Sequence, residues 1–122
     1  MTRATALFAA ALVALALAVG AFGGSASTTL VGTVGPGFTI HLTQGGKAVK
    51  TLRAGTYTFV IHDKASIHNF VVEQESGGKF EKDLTGVSFV GTKTVKVTLK
   101  KGKWKFYCKP HESVMFGFFT VK

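Results

Sequence analysis

One cysteine, two prolines, two arginines and one tryptophan in 122 residues set the first limits on this chain. A lone cysteine excludes an intramolecular disulfide and leaves too few thiolates for an iron–sulfur cluster. Two prolines leave no Pro-rich linker, and no internal repeat divides the chain. After residue 26 no stretch keeps a 3.6-residue apolar period, which excludes a helical domain. Arginine is nearly absent although Lys and Arg number 15 against 6 acidic residues. Without an Arg-rich cluster, nucleic acid is not the partner that this charge implies.

The one long apolar run stands at the start. Arg3 precedes an almost uninterrupted Ala-, Leu- and Val-rich stretch from Ala4 to Phe22, and the small residues Gly23-Gly24-Ser25-Ala26-Ser27 follow. Residues 1–26 read as a secretory signal peptide. An uncleaved anchor is the alternative, because the run is about long enough to span a bilayer. Residues 27–122 then form one domain, exported to a periplasmic, extracellular or cell-surface location. An unpaired thiol in an oxidising compartment is a liability unless something occupies it, and a bound metal would do so.

The formal charge is +9, and it is +8 once Arg3 is removed. Lysines spread along outward strand faces make a solubilising surface. Their functional reading is attraction to an acidic partner protein or to an anionic membrane surface. The chain is expected to be a monomer.

Period-2 alternation between glycine-bearing breaks predicts an all-β domain of several short strands, packed as two sheets. Phe38, Ile40 and Leu42 alternate with Thr39 and His41 before a turn at Gln44 to Lys47. Tyr57, Phe59 and Ile61 alternate with Thr58 and Val60. His68, Phe70 and Val72 share one face, with Asn69, Val71 and Glu73 on the other. Val95, Val97 and Leu99 precede a turn near Lys101-Gly102; Trp104, Phe106 and Cys108 then alternate with Lys103, Lys105 and Tyr107. Ser76 to Leu84 has the weakest strand pattern and reads as a loop or a short helical turn across one sheet edge.

The same parity sorts the four histidines. His41 and His62 fall on polar faces, whereas His68 and Cys108 share parity with apolar neighbours and point inward at strand ends. Cys108-Lys109-Pro110-His111 places two donors on one tight loop, stiffened by Pro110, and Met115 follows. Taken singly, these residues read as a core histidine, a small buried hydrophobe and a gap-filler. Together they offer one thiolate, two imidazoles and a thioether. Thioethers add little to zinc, and structural zinc sites are closed by four Cys and His ligands. This donor set therefore suits one copper ion cycling between Cu(I) and Cu(II), with His68, Cys108 and His111 around it and Met115 as a weak axial ligand. Glu112 is the alternative axial donor.

The segment Phe106-Tyr107-Cys108-Lys109-Pro110-His111-Glu112-Ser113-Val114-Met115-Phe116-Gly117, with Ile67-His68-Asn69-Phe70, resembles the plastocyanin-like cupredoxins. Gly55 to Phe59 and Phe119 to Val121 are similar to the family as well. Three residues separate His111 from Met115, one fewer than plastocyanins often carry. The resemblance implies a Greek-key β-sandwich with one type 1 copper at its apolar end. It also implies that Asn69 ties the two ligand loops together and that the His111 edge is the electron port within an apolar patch. Phe70, Phe106 and Phe116 are expected to form the shell around the metal, with Pro110 stiffening its loop. Phe118, of outward parity, is an exposed aromatic near it.

The expected function is single-electron transfer between redox partner proteins outside the cytoplasmic membrane. The alternative is a copper store, carrier or sensor without a redox partner. An enzyme is not expected, because further copper centres need additional clustered histidines, and a binuclear centre of the oxidase kind needs a second cysteine.

Overall fold

The computed structural model describes residues 28–122, so the expected leader at residues 1–26 lies outside the described residues. In chain order the strands are β1 (Thr29–Val34), β2 (Ile40–Gln44), β3 (Lys47–Ala48), β4 (Thr51–Leu52), β5 (Gly55–Asp63), β6 (Val71–Gln74), β7 (Glu81–Asp83), β8 (Gly91–Leu99), β9 (Gly102–Tyr107) and β10 (Phe116–Val121). One sheet runs β3-β2-β1-β5-β8 and the other β4-β10-β9-β6-β7. Pairing is antiparallel except between β1 and β5 and between β4 and β10. From β3 onward the chain passes repeatedly from one sheet to the other, the Greek-key way of closing an all-β sandwich.

Alternation explains which faces meet. Tyr57, Phe59 and Ile61 of β5 are buried, as are Trp104 and Phe106 of β9, Phe119 and Val121 of β10, and Leu30 and Val34 of β1. Two polar core side chains donate to nearby backbone carbonyls. Trp104 Nε1–H donates to Lys100 O at 2.8 Å, and Tyr57 O–H to Arg53 O at 2.7 Å. The rings of Phe70 and Phe106 stack at 5.9 Å beneath the site, bridging the two sheets' contents.

Three local expectations fail, each for a physical reason. Ser76 to Leu84 contains a strand, since Glu81–Asp83 pairs antiparallel with β6. All three of its side chains are exposed, so no apolar alternation could announce it; charged side chains suit such an edge. Residues 68–70 are not strand, and Asn69 and Val71 are as buried as His68 and Val72. Phe38 lies ahead of β2 and is 60% exposed, because the chain has not yet entered the sheet where parity would turn it inward. Among the described residues, no helix is long and apolar enough to cross a membrane.

Three connections meet at one end of the sandwich: β1 to β2, β5 to β6 and β9 to β10. Gly117 shows how tightly the last is held, for a Cβ there would overlap the Phe106 ring. Gly117→Ala is therefore expected to displace Phe106 and to cost about 1–3 kcal/mol of stability. Denaturant unfolding of the metal-free protein measures it; an unchanged midpoint would show that Phe106 moves aside freely.

Candidate metal centre

Cys108 closes β9 in extended conformation, and residues Lys109–His111 then form a single 3-10 turn with Pro110 in its first positions, where its fixed φ fits. His111 N–H donates to Cys108 O at 3.1 Å, Met115 N–H to His111 O at 2.9 Å, and Cys108 N–H to Met115 O at 3.0 Å. The loop is thus closed on itself by its own backbone. It brings Cys108, His111 and Met115 together; Cys108 and Met115 are wholly buried, and His111 is half-buried.

His68 arrives from the β5–β6 connection, also wholly buried. Its Nδ1 lies 3.0 Å from His111 Nδ1, and Cys108 Sγ lies 3.7 Å from each of these nitrogens. Two imidazole nitrogens and a sulfur facing one another this closely repel unless a proton or cation lies between them. A point equidistant from the corners of that triangle is about 2.0 Å from each, close to the metal–imidazole lengths of about 2.0–2.1 Å and metal–thiolate length of about 2.3 Å known for zinc. The donor set therefore fits one small metal ion.

Neighbouring groups prepare these donors. His68 Nε2 lies 3.0 Å from Gly37 O. A carbonyl only accepts, so Nε2 carries the hydrogen and Nδ1 keeps its lone pair for the centre. Asn69 N–H points at Cys108 Sγ at 3.5 Å, a hydrogen bond that helps fix the sulfur in place. Asn69 Oδ1 accepts Lys109 N–H at 2.8 Å and so joins the two loops. Phe38 stands edge-on to both rings, 5.4 Å from His68 and 4.9 Å from His111.

The sequence pattern marks Phe38 only as an inward strand residue and does not mark Gly37 at all. The turn-forming run Gly35-Pro36-Gly37 signals a tight loop, but nothing local says which carbonyl meets an imidazole 31 residues further along the chain. Phe116 corrects an expectation. It lies on the outer face of β10, 45% exposed and edge-on to Phe118, because Gly117, Phe119 and Val121 hold the inward parity. Phe70 and Phe106 supply the apolar floor. Phe118 is 44% exposed, with Lys103 Nζ 4.4 Å above its ring. His41 is exposed on β2, and His62, on the outer face of β5, pairs with Thr92 Oγ1 at 3.0 Å.

A second polar network braces the cysteine loop from outside. Tyr107 O–H donates to Glu81 Oε1 at 2.7 Å, while Lys109 Nζ lies 2.7 Å from Asp83 Oδ1 and 3.4 Å from Glu81 Oε1. Burial, then the bonded Glu81, pushes the Tyr107 phenol up from its ordinary 10.0. That same hydrogen bond holds the Glu81 carboxyl below its ordinary range. Burial raises the carboxyl of Asp63, with Thr85 and the Ala65 N–H opposing.

The model of the copper binding proteins of the plastocyanin/azurin family matches residues 42–122. Among solved structures, the copper protein rusticyanin is similar with a TM-score of 0.56 at 20% identity, over 77% of this chain and 76% of its own. Rusticyanin from Thiobacillus ferrooxidans gives 0.50 at 25% identity over 77% and 76%. A variant of amicyanin with Cu(I) gives 0.52 at 11% identity over 78% and 83%. Among curated proteins no sequence matches. The low-identity likenesses establish the cupredoxin sandwich. With the family match and the triangle of donors, they make the cofactor one copper ion.

Tyr107 generates a prediction of its own. Its folded-state value lies above the unfolded one, so the bonded phenol contributes stability below pH of about 10 that is lost as pH rises through the folded value. In a Tyr57→Phe background, ultraviolet titration is expected to show Tyr107 ionising well above the ordinary tyrosine range. Glu81→Gln should bring that ionisation down. Ordinary ionisation before the second change would mean that the Glu81 bond is not kept in solution.

Proposed function

This chain belongs to the plastocyanin/azurin family of copper-binding proteins, and we propose that it carries single electrons between redox partner proteins outside the cytoplasmic membrane. His68, Cys108 and His111 hold the copper in this reading, and Met115 is its weak axial thioether. The observation that carries it is the convergence of two imidazole nitrogens and one thiolate sulfur on a single point, buried on all sides but one. A copper ion held by such donors alternates between Cu(I) and Cu(II), taking up or giving up one electron.

The chain's own residues serve that exchange by staying still. Every donor is braced: His68 by Gly37 O, Cys108 by the Asn69 N–H and the Met115 carbonyl, His111 by the closed turn. Braced donors change little between the two oxidation states, which keeps reorganisation small. Phe38 and the Phe70–Phe106 pair exclude water. His111 alone reaches solvent. Phe38 at 60% exposure stands against its ring and Val114 at 63% lies on the same turn, apolar surface on which a partner can dock closely.

The net charge of +8 after Arg3 supports an acidic partner. Export through residues 1–26 fits this reading, because a bound metal and burial together would protect the unpaired thiol in an oxidising compartment. The reading includes no catalytic step, since His41 and His62 sit singly on outer strand faces and offer no second centre.

Adding Cu(II) to the purified chain is expected to give an intense visible band that disappears in Cys108→Ser. A colourless protein of unchanged copper content would sink the reading. Reduced protein should be oxidised by anionic hexacyanoferrate(III) at a rate that falls as salt is added, and by a cationic cobalt complex at a rate that rises. Equal salt dependence for both oxidants would remove the lysines from any steering role.

A further inference from the structure

Two buried polar residues outside the donor set bracket the segment that carries His68. Asp63 ends β5 with inward parity at 2% exposure, and Thr85 is fully buried. Asp63 Oδ1 accepts Ala65 N–H at 3.3 Å, and the neighbouring Thr85 hydroxyl favours the charged form of the same carboxyl against its burial. Thr85 Oγ1 in turn accepts Phe70 N–H at 2.9 Å, while Phe70 O takes Leu84 N–H at 2.7 Å. Between these points, His68 N–H donates to Ala65 O at 3.4 Å. His68 thus stands three residues after one fixed amide and two before the other.

The arrangement has a price that packing alone does not explain. Asp63 Oδ2 is buried without a hydrogen-bond partner. An apolar side chain at this inward strand end would avoid the desolvation of a carboxyl. What the carboxyl supplies, and an apolar residue cannot, is an acceptor for the Ala65 N–H. Ala65 in turn abuts the turn that orients His68: a Cβ on Gly35 would lie 3.0 Å from Ala65 Cβ and 3.4 Å from His68 Cδ2. Shifting Ala65 therefore disturbs both the His68 backbone and the turn whose Gly37 carbonyl fixes its ring.

We propose that Asp63 and Thr85 are positioning residues for the metal centre, a buried carboxyl–hydroxyl clamp that fixes both ends of segment 65–70 so that His68 Nδ1 meets Cys108 and His111. The proposal rests on the reading of His68 as a copper ligand. Neither residue touches the metal; each acts on His68 through a backbone amide.

The test compares the full chain with Asp63→Asn, Asp63→Ala, Thr85→Ser, Thr85→Val and His68→Ala. Amide hydrogen exchange at Ala65 and Phe70 is read in the metal-free protein, then Cu(II) affinity by chelator competition and the visible band in the loaded one. Asp63→Asn and Thr85→Ser keep an acceptor at each point and are expected to stay within a few-fold of the native affinity. Asp63→Ala and Thr85→Val should exchange faster at Ala65 and Phe70 respectively and lose on the order of 10–100-fold in copper affinity, with a weakened or shifted band. Native affinity and exchange in these two would overturn the clamp, as would an equal loss in Asp63→Asn and Asp63→Ala. If Asp63→Ala does not fold, the Thr85 pair decides, because valine keeps the shape of threonine while losing its acceptor. A His68→Ala chain that binds and colours as the native one does would overturn the ligand reading instead. The two failures are separable because native affinity in the clamp variants counts against the clamp only where His68→Ala has lost its band.

Discussion

The two loops that carry the donors lie some forty residues apart in the chain, and the residue that joins them is Asn69. Its side-chain oxygen accepts the Lys109 N–H at 2.8 Å and its own N–H reaches Cys108 Sγ at 3.5 Å, so one buried residue holds both the thiolate and the turn that follows it. A hydrogen bond buried away from water is expensive to leave unmade. That asymmetry converts two loops, each individually able to drift, into one rigid unit. The distances within the donor triangle, which span the two loops, and the seat of Phe38 on both imidazoles depend on it.

Rigidity would be of little use if the centre were sealed on every side or open on every side. The sandwich resolves this by burying His68, Cys108 and Met115 while leaving His111 half-exposed beside Phe38 and Val114. The Gly37 carbonyl fixes the hydrogen of His68 on the ring nitrogen remote from the centre. On the outside of the cysteine loop, Lys109 is neutralised by Asp83 and Glu81 rather than left free beside the thiolate. Fixed donors, a dry floor and one solvent-facing imidazole are what an electron carrier needs from its protein, and none of them requires a residue that does chemistry.

The sandwich also explains why apolar parity proved a good guide in some places and a poor one in others. Where a segment lies in a ladder between two packed sheets, as β5 and β9 do, alternate side chains face the core and the sequence shows it. Near the site the chain leaves the ladder. There Asn69 is buried regardless of parity and Phe38 is exposed, while at the sheet edge β7 forms from hydrogen bonds that leave no apolar trace.

What the sequence by itself determined is the chemistry: a single thiolate, a Cys-x2-His turn with its proline, a downstream methionine, one inward histidine, and the alternation that demands an all-β sandwich. Residue type and short-range spacing suffice for these, because softness of donors and strand parity are local properties. Only the tertiary structure decided how the donors are held. The Gly37 carbonyl on His68, the Phe38 edge on both rings, the Asn69 bridge geometry and the Thr85 hydroxyl on the Phe70 amide are contacts between segments 15 to 73 residues apart. Such contacts depend on how two twisted sheets bring their connecting loops to one end, and no local pattern of residues encodes that meeting.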